Sequence, residues 1–244
     1  MLGLEAEWTP LVPTHVSATN DVTLRPSDDG SLVASGPNPE VTVYTVTAPL
    51  PTAGVTALRL EALLDDSLPK GGPGHDPYGH FRITGIDIVV GPADAADAPQ
   101  VGARSGKADG AAYTFDAAML TQGSSRGYVR KGQAWAIDAV REGYRVPHQL
   151  VLTLAAPLDV SPGTPLTVRV RHEDGTLGQG LGRFRLSVTT SADPERIVAV
   201  PARARAWMRI PSMKRTEAQQ AGLASQFRAH SPLFAEDRKT VKEL

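Results

Sequence analysis

The residues best suited to chemistry in this 244-residue chain gather between Leu64 and Phe81. Asp65, Asp66, His75, Asp76, Tyr78 and His80 lie in or beside a Gly/Pro-rich stretch, Ser67 to Gly79, that is longer than a hairpin between two strands requires. Long ordered loops on a β scaffold tend to carry function. His75, Asp76 and His80 offer two imidazoles and a carboxylate within six residues, a donor set that a transition metal accepts. Oxygen donors are more abundant. A hard cation takes carboxylate oxygens together with backbone carbonyls exposed by Gly/Pro turns, so calcium is the better-matched ion, with Asp65, Asp66 and Asp29 as its carboxylates. Sugar recognition needs a flat aromatic face rimmed by a few polar groups. Tyr78, between Pro77 and Gly79, is the best-presented platform, with His75 and His80 beside it. Tyr128, Trp135 and Tyr144 also lie in or near loops, although Trp135, flanked by Ala134 and Ala136, suits buried packing as well. Arg183 and Arg185 alternate around Phe184 and serve either as binding groups or as partners in ion pairs across strands.

Bond-breaking chemistry finds less support. The chain carries no nucleophile elbow, P-loop, dinucleotide fingerprint or H-E-x-x-H pattern. Glu61 and Asp65, four residues apart, form the one arguable carboxylate pair, but a strand running into a loop does not make them face each other. Glu61 is more simply the ion-pair partner of Arg59 on the same strand face.

The elements that must hold these groups read as β. Val41 to Val46 alternates strictly and is rich in β-branched residues, with either Val41 and Val43 or Tyr44 and Val46 facing inward. Val55 to Leu63 and Phe81 to Val90 flank the loop as strands. Ser31 to Gly36, Ala111 to Phe115, Ala134 to Ile137, His148 to Leu154, Pro165 to Arg171 and Leu181 to Thr189 complete the set, with turns at Asp28-Asp29-Gly30, Pro37-Asn38-Pro39 and Pro157 to Gly163. Gly91 to Ala98 reads as a surface linker. Many short strands without intervening helices predict a β-sandwich or jelly roll. Beyond Asp193 the pattern turns helical: a short helix over Pro201 to Ile210, then one capped by Thr216 with Gln219 and stopped at His230-Ser231-Pro232, and a charged, fraying end over 233–244. Arg196, Arg203, Arg205, Arg209, Lys214, Arg215 and Arg228 are expected to line solvated helical faces. The predicted division is a β module over 1–192 and a helical tail over 193–244.

Charge and composition narrow the classes. With 25 Lys+Arg against 26 Asp+Glu and a formal charge of −1, the chain lacks the basic face that general nucleic-acid binding requires. No apolar run reaches the ~20 residues that span a bilayer. Leu2-Gly3-Leu4 runs at once into Glu5 and Glu7, which is not a signal-peptide pattern, so the chain reads as either cytosolic or a domain of a longer exported protein. Absence of cysteine excludes disulfides, thiolate sites and covalent haem attachment in this segment.

Several segments resemble one family, the large multidomain proteins of planctomycetes that join a cytochrome c domain to planctomycete-specific conserved domains. The resembling pieces are Thr56 to Leu63, Ser67-Leu68-Pro69 with Gly71 to Gly74, Trp135-Ala136-Ile137 followed by Gly143 and His148, and Leu181 to Thr189; Arg215-Thr216 and Gln219-Gln220 fit the helical segment that follows. The resemblance implies a β-sandwich like carbohydrate-binding and discoidin-like modules, within a periplasmic or cell-surface protein. Two places depart from that family: Gly74-His75 and Gly79-His80-Phe81 at the end of the loop, and Arg130-Lys131-Gly132 where the family has an Asp-Gly pair. The expectation is therefore a non-catalytic binding module for a polysaccharide or other glycan, with structural calcium. The alternative is a docking or spacer domain that contacts its neighbours and binds no glycan.

Overall fold

The computed structural model describes residues 7–95, 98–122, 133–141, 143–173, 178–230 and 234. Tyr128, Arg130-Lys131-Gly132 and nearly all of the charged terminal segment fall outside the described residues.

Thirteen strands are described: β1 (Thr9–Pro10), β2 (His15–Ala18), β3 (Thr23–Pro26), β4 (Ser31–Ser35), β5 (Val41–Pro49), β6 (Val55–Leu63), β7 (Phe81–Ile83), β8 (Gly85–Val90), β9 (Ala103–Ala108), β10 (Trp135–Ile137), β11 (His148–Leu158), β12 (Pro165–Glu173) and β13 (Arg183–Thr189). They form two antiparallel layers. One runs β3-β4-β13-β6-β11-β9, with β1 paired to the far end of β13; the other runs β2-β5-β12-β8. The short β7–β10 pair sits beside them, Trp135 opposite Ile83. This is a mostly β sandwich with short C-terminal helices, as the strand pattern predicts.

Strict alternation sets which side chains meet between the layers. In β6, Leu58, Leu60 and Ala62 point inward; in β5 the inward set is Tyr44, Val46 and Ala48, which settles the two-faced reading of that strand. Phe184, Leu186 and Val188 of β13 complete the middle of the core. Tyr44 is fully buried, stacks on Phe184 at 5.7 Å and donates its hydroxyl to the Leu181 carbonyl at 3.1 Å, so its polar end is satisfied inside the core.

The other face of the large sheet is covered as well. Trp8, Ile197 and Val198 pack on Ala57 and Val151. A 3-10 turn over Pro194–Val198 carries the last two of these, and Glu195 fixes it by accepting from Ser105 Oγ at 2.6 Å and Thr153 Oγ1 at 3.0 Å. Helix α1 (Ala202–Arg209) follows, then α2 (Glu217–His230). The Thr216–Gln219 capping box forms reciprocally, with Thr216 N donating to Gln219 Oε1 at 3.0 Å and Gln219 N to Thr216 Oγ1 at 3.3 Å. Arg215 donates to the Trp207, Met208 and Ile210 carbonyls and so closes the C-terminal end of α1, where a cation suits the helix dipole.

Two expectations need correction. Ala111 to Phe115 is not a strand; Ala112 makes one backbone bond to Ala136, and the edge strand lies earlier, in β9. Its sequence, ARSGKA, hides it, because a 3-10 turn over Ala117–Thr121 packs so closely that a Cβ on Gly106 would meet the Ala117 Cβ at 2.8 Å. Second, Arg205 does not line a solvated face. It is buried and paired with the buried Asp109, whose Oδ1 also accepts from Gln149 N at 3.1 Å and lies 3.3 Å from His148 Nδ1. Beside this pair, Ile197 and Val198 hold the start of the 193–244 segment against the outer face of the large sheet.

Candidate functional site

The loop after β6 is built around glycine. Gly74 N donates to the Gly79 carbonyl, Gly79 N to the Asp76 carbonyl, and His75 N and Gly182 N bind the Gly180 and Pro73 carbonyls. The loop thus lies against 180–182 almost as an added strand. A Cβ at Gly74 would collide with the His80 carbonyl, and one at Gly72 would meet the Gly79 Cα at 2.8 Å. Gly79 itself has φ +83°, a conformation that favours glycine. Asp76, 3% exposed, acts from inside this turn: its Oδ1 accepts from Tyr78 N at 2.9 Å and His80 N at 2.6 Å. Asp76 is therefore the clasp of the loop, with its Oδ1 devoted to the backbone.

That clasp presents Tyr78, which is 59% exposed, with its ring 5.6 Å from the ring of His80. His80 Nδ1 accepts from Ala139 N at 2.9 Å, which places the ring proton of the neutral imidazole on Nε2. Asp138 Oδ1 lies 3.5 Å from the same Nδ1 and has no hydrogen-bond donor. Tyr78, His80 and Asp138 make one patch: a flat exposed ring, an N–H donor and a carboxylate. Asp138 is a member that sequence reasoning missed, since it comes from the turn after β10.

The other predicted residues fall elsewhere. Trp135 is fully buried, meets Phe81 edge-on at 4.9 Å and donates Nε1–H to the Gly110 carbonyl at 2.9 Å, so its expected place in a ligand site is corrected to the core. Tyr144 is half-buried; its hydroxyl lies 3.4 Å from the Ala111 carbonyl, Arg141 lies over its ring at 5.1 Å, and His148 stands behind it at 6.0 Å. His75 lines a groove between the loop and the β3–β4 hairpin, together with Arg25, Ser27, Ser35, Asp65 and Ser67. Burial holds the His75 imidazole below its ordinary pKa, in its neutral form.

Arg183 brings two of the three carboxylates expected for calcium together. Its Nη2 is 2.9 Å from Asp29 Oδ2 and its Nη1 is 3.3 Å from Asp65 Oδ2, while Nε donates to Ser31 Oγ. The remaining oxygens are also engaged: Asp29 Oδ1 accepts from the Ser31 amide and hydroxyl, Asp65 Oδ1 from the Ser67 amide and hydroxyl. Those serine hydroxyls first, and the nearby guanidinium after them, hold both carboxyls below the ordinary range. The two turns share a D-x-S pattern, Asp29-Gly30-Ser31 and Asp65-Asp66-Ser67, a sequence signal for this Asx geometry. Asp66 is exposed and outside this cluster. The pair does not fit calcium while Arg183 stands between its members; a cation would have to displace the guanidinium. Among the described residues no group of three or more His, Asp or Glu side chains is arranged to hold a metal ion.

The network continues into the sheet. Arg185 grips Glu61 with two bonds, 2.8 Å from Nε to Oε2 and 3.1 Å from Nη2 to Oε1, and Arg59 lies 3.3 Å from Glu61 and 4.9 Å over the Trp8 ring. Arg59 and Glu61 do form the expected pair, but in the interior, 2% and 4% exposed. Glu61 and Asp65 are each held by a separate arginine, Arg185 and Arg183, and are not posed as a facing acid and base.

No family model and no curated protein matches the chain. One solved structure, described as "Structural basis for the promiscuous specificity of the carbohydrate-binding modules from the beta-sandwich super family", aligns with 75% of this chain at a TM-score of 0.31 and 11% identity. The chain spans 55% of the length of that protein.

Proposed function

We propose that this chain is a non-catalytic binding module that takes a glycan at the Tyr78 patch, as part of a larger exported protein. One observation carries the reading: Tyr78 is 59% exposed on a loop whose backbone is clasped by the buried Asp76 and by tight glycine contacts. A flexible tip that merely tolerated a tyrosine would not need a buried carboxylate devoted to its amide. Preorganisation lowers the ordering cost of binding, and an aromatic face stacks on the C–H face of a pyranose while His80 Nε2–H and Asp138 reach its hydroxyls. The planctomycete-type context and a periplasmic or surface location belong to this proposal on the residue resemblance alone.

A second reading, docking without glycan binding, draws on the tail. Met213 is 97% exposed, Phe227 57% and Met208 39%, apolar side chains that suit contact with a neighbouring domain. Affinity electrophoresis in gels containing a panel of soluble polysaccharides separates the two. The glycan reading expects retardation by at least one polysaccharide that Tyr78→Ala removes while leaving the melting temperature unchanged. Unretarded migration across the panel leaves the docking reading in its place.

A further inference from the structure

The loop that presents Tyr78 also forms one wall of a groove of about 660 Å³, whose other wall is the β3–β4 hairpin. That volume falls in the range that encloses small ligands, roughly 300–1,000 Å³. Pro26, Leu68 and Pro69 give it apolar surface, and Ser27, Ser35 and Ser67 give it hydroxyls. Its charge is decided by three residues. Asp65 is ionised but already matched by Arg183. His75 is neutral in its half-buried position. Arg25, exposed on β3 opposite Val33, has no hydrogen-bond or ion-pair partner among the described residues. The adjoining network is balanced, with Asp29, Glu61 and Asp65 facing Arg59, Arg183 and Arg185. Arg25 is thus the uncompensated charge at the groove. A guanidinium presents a rigid planar fork that matches the two oxygens of a carboxylate or a sulfate ester.

We infer that this groove is an anion-selecting subsite: it receives a sugar unit bearing a carboxylate or sulfate, with Arg25 as the bidentate fork and the serine hydroxyls beside it. The inference rests on the glycan reading above and narrows it to acidic glycans.

The test is calorimetric titration of the full chain with a galacturonate oligosaccharide, with its neutral methyl ester, with a sulfated galactan oligosaccharide and with inorganic sulfate. Wild type, Arg25→Gln and Tyr78→Ala are compared; both side chains are exposed, so the variants keep the fold. The expected result is that one charged oligosaccharide binds about tenfold or more tightly than the methyl ester, a gap that Arg25→Gln closes and added salt narrows. Whichever charged oligosaccharide binds more tightly identifies the anionic group. Equal binding of acid and methyl ester, unchanged in Arg25→Gln but lost in Tyr78→Ala, overturns the anion subsite and leaves the glycan reading standing. Absence of saturable binding by every oligosaccharide overturns both, including the case in which inorganic sulfate alone binds.

Discussion

Acid should unfold this protein through two buried histidines. His148 and His172 are 2% and 3% exposed, and burial pushes their pKa values from 6.5 down to about 4 and about 3. His172 accepts from Leu181 N through Nε2 at 3.3 Å and packs at 4.7 Å from the Tyr44 ring, so its neutral form is the one the core is built around. The sign follows from which state binds the proton. Below pH 6.5 the unfolded chain protonates these rings and the folded chain does not, so stability falls as pH falls and is lost between 6.5 and the folded values. At pH 4.5 the loss spans two pH units for each histidine, about 3 kcal/mol apiece and roughly 6 together at about 1.4 kcal/mol per unit. The figure depends on the folded values only through their lying below 4.5. The depressed Asp29 and Asp65 carboxyls add their own loss only below their ordinary value of 3.8. Asp87 acts in the opposite sense, since burial raises its carboxyl and its protonation favours the fold. Comparison with variants cancels that offset. Urea unfolding followed by tryptophan fluorescence at pH 7.5 and 4.5, on wild type, His148→Gln and His172→Gln, gives the numbers. Each variant should start less stable at pH 7.5 yet lose about 3 kcal/mol less on acidification than wild type. A pH dependence identical in all three proteins would refute the assignment.

Three further outcomes follow from the ion networks and the loop. Asp109→Asn removes the buried carboxylate charge that faces Arg205 and should cost about 3–5 kcal/mol in chemical denaturation, read against Asp109→Glu as the charge-keeping control. Gly74→Ala forces the loop backbone off the His80 carbonyl; a destabilisation of about 1–3 kcal/mol, read as a melting-temperature fall of several degrees, should accompany weakened binding at Tyr78. Arg183→Met takes one guanidinium from the exposed Asp29, which keeps Arg185 at 3.8 Å, and from the partly buried Asp65, so the stability cost should stay at about 1 kcal/mol. Millimolar calcium should then raise the melting temperature of that variant more than that of wild type, and an equal shift in both would place any calcium elsewhere.

The sequence shows the layers more clearly than the site. Val41 to Val46 alternates because one face lies in the core, and period-two burial leaves that mark directly in residue type; Val55 to Leu63 and Leu181 to Thr189 keep Leu58, Leu60, Phe184 and Leu186 at period two although their outer faces are covered as well. Thr216 and Gln219 were legible for a local reason as well, since a capping box spans only four residues. β9 was not, because its inner positions had to be small to admit the Ala117–Thr121 turn. The Asp109–His148–Arg205 cluster was invisible for another reason: its members come together only through pairings 39 and 96 residues long, which no window detects. For the site, composition marked the loop, and Tyr78 with His80 proved to be neighbours, as their spacing suggests. Partition of the remaining candidates depended on the fold. Trp135 went inward, Asp76 became a backbone clasp, and Arg183 took the place between Asp29 and Asp65 that a cation was expected to fill.

The position of β13 has a consequence for how the protein is made. It lies in the middle of the large sheet, between β4 and β6, yet it is synthesised after every other described strand. Until residues 183–189 emerge, the β3–β4 hairpin and the β6–β11 pair wait as two fragments with open edges, each a template for a stray chain. Pairings that reach from Leu32 to Phe184 make closure slow, because a long loop must be ordered before its contacts form. Biosynthesis of this module therefore includes an interval of vulnerability that ends when one late strand slots in, and cells producing it in quantity should need holding chaperones for that interval.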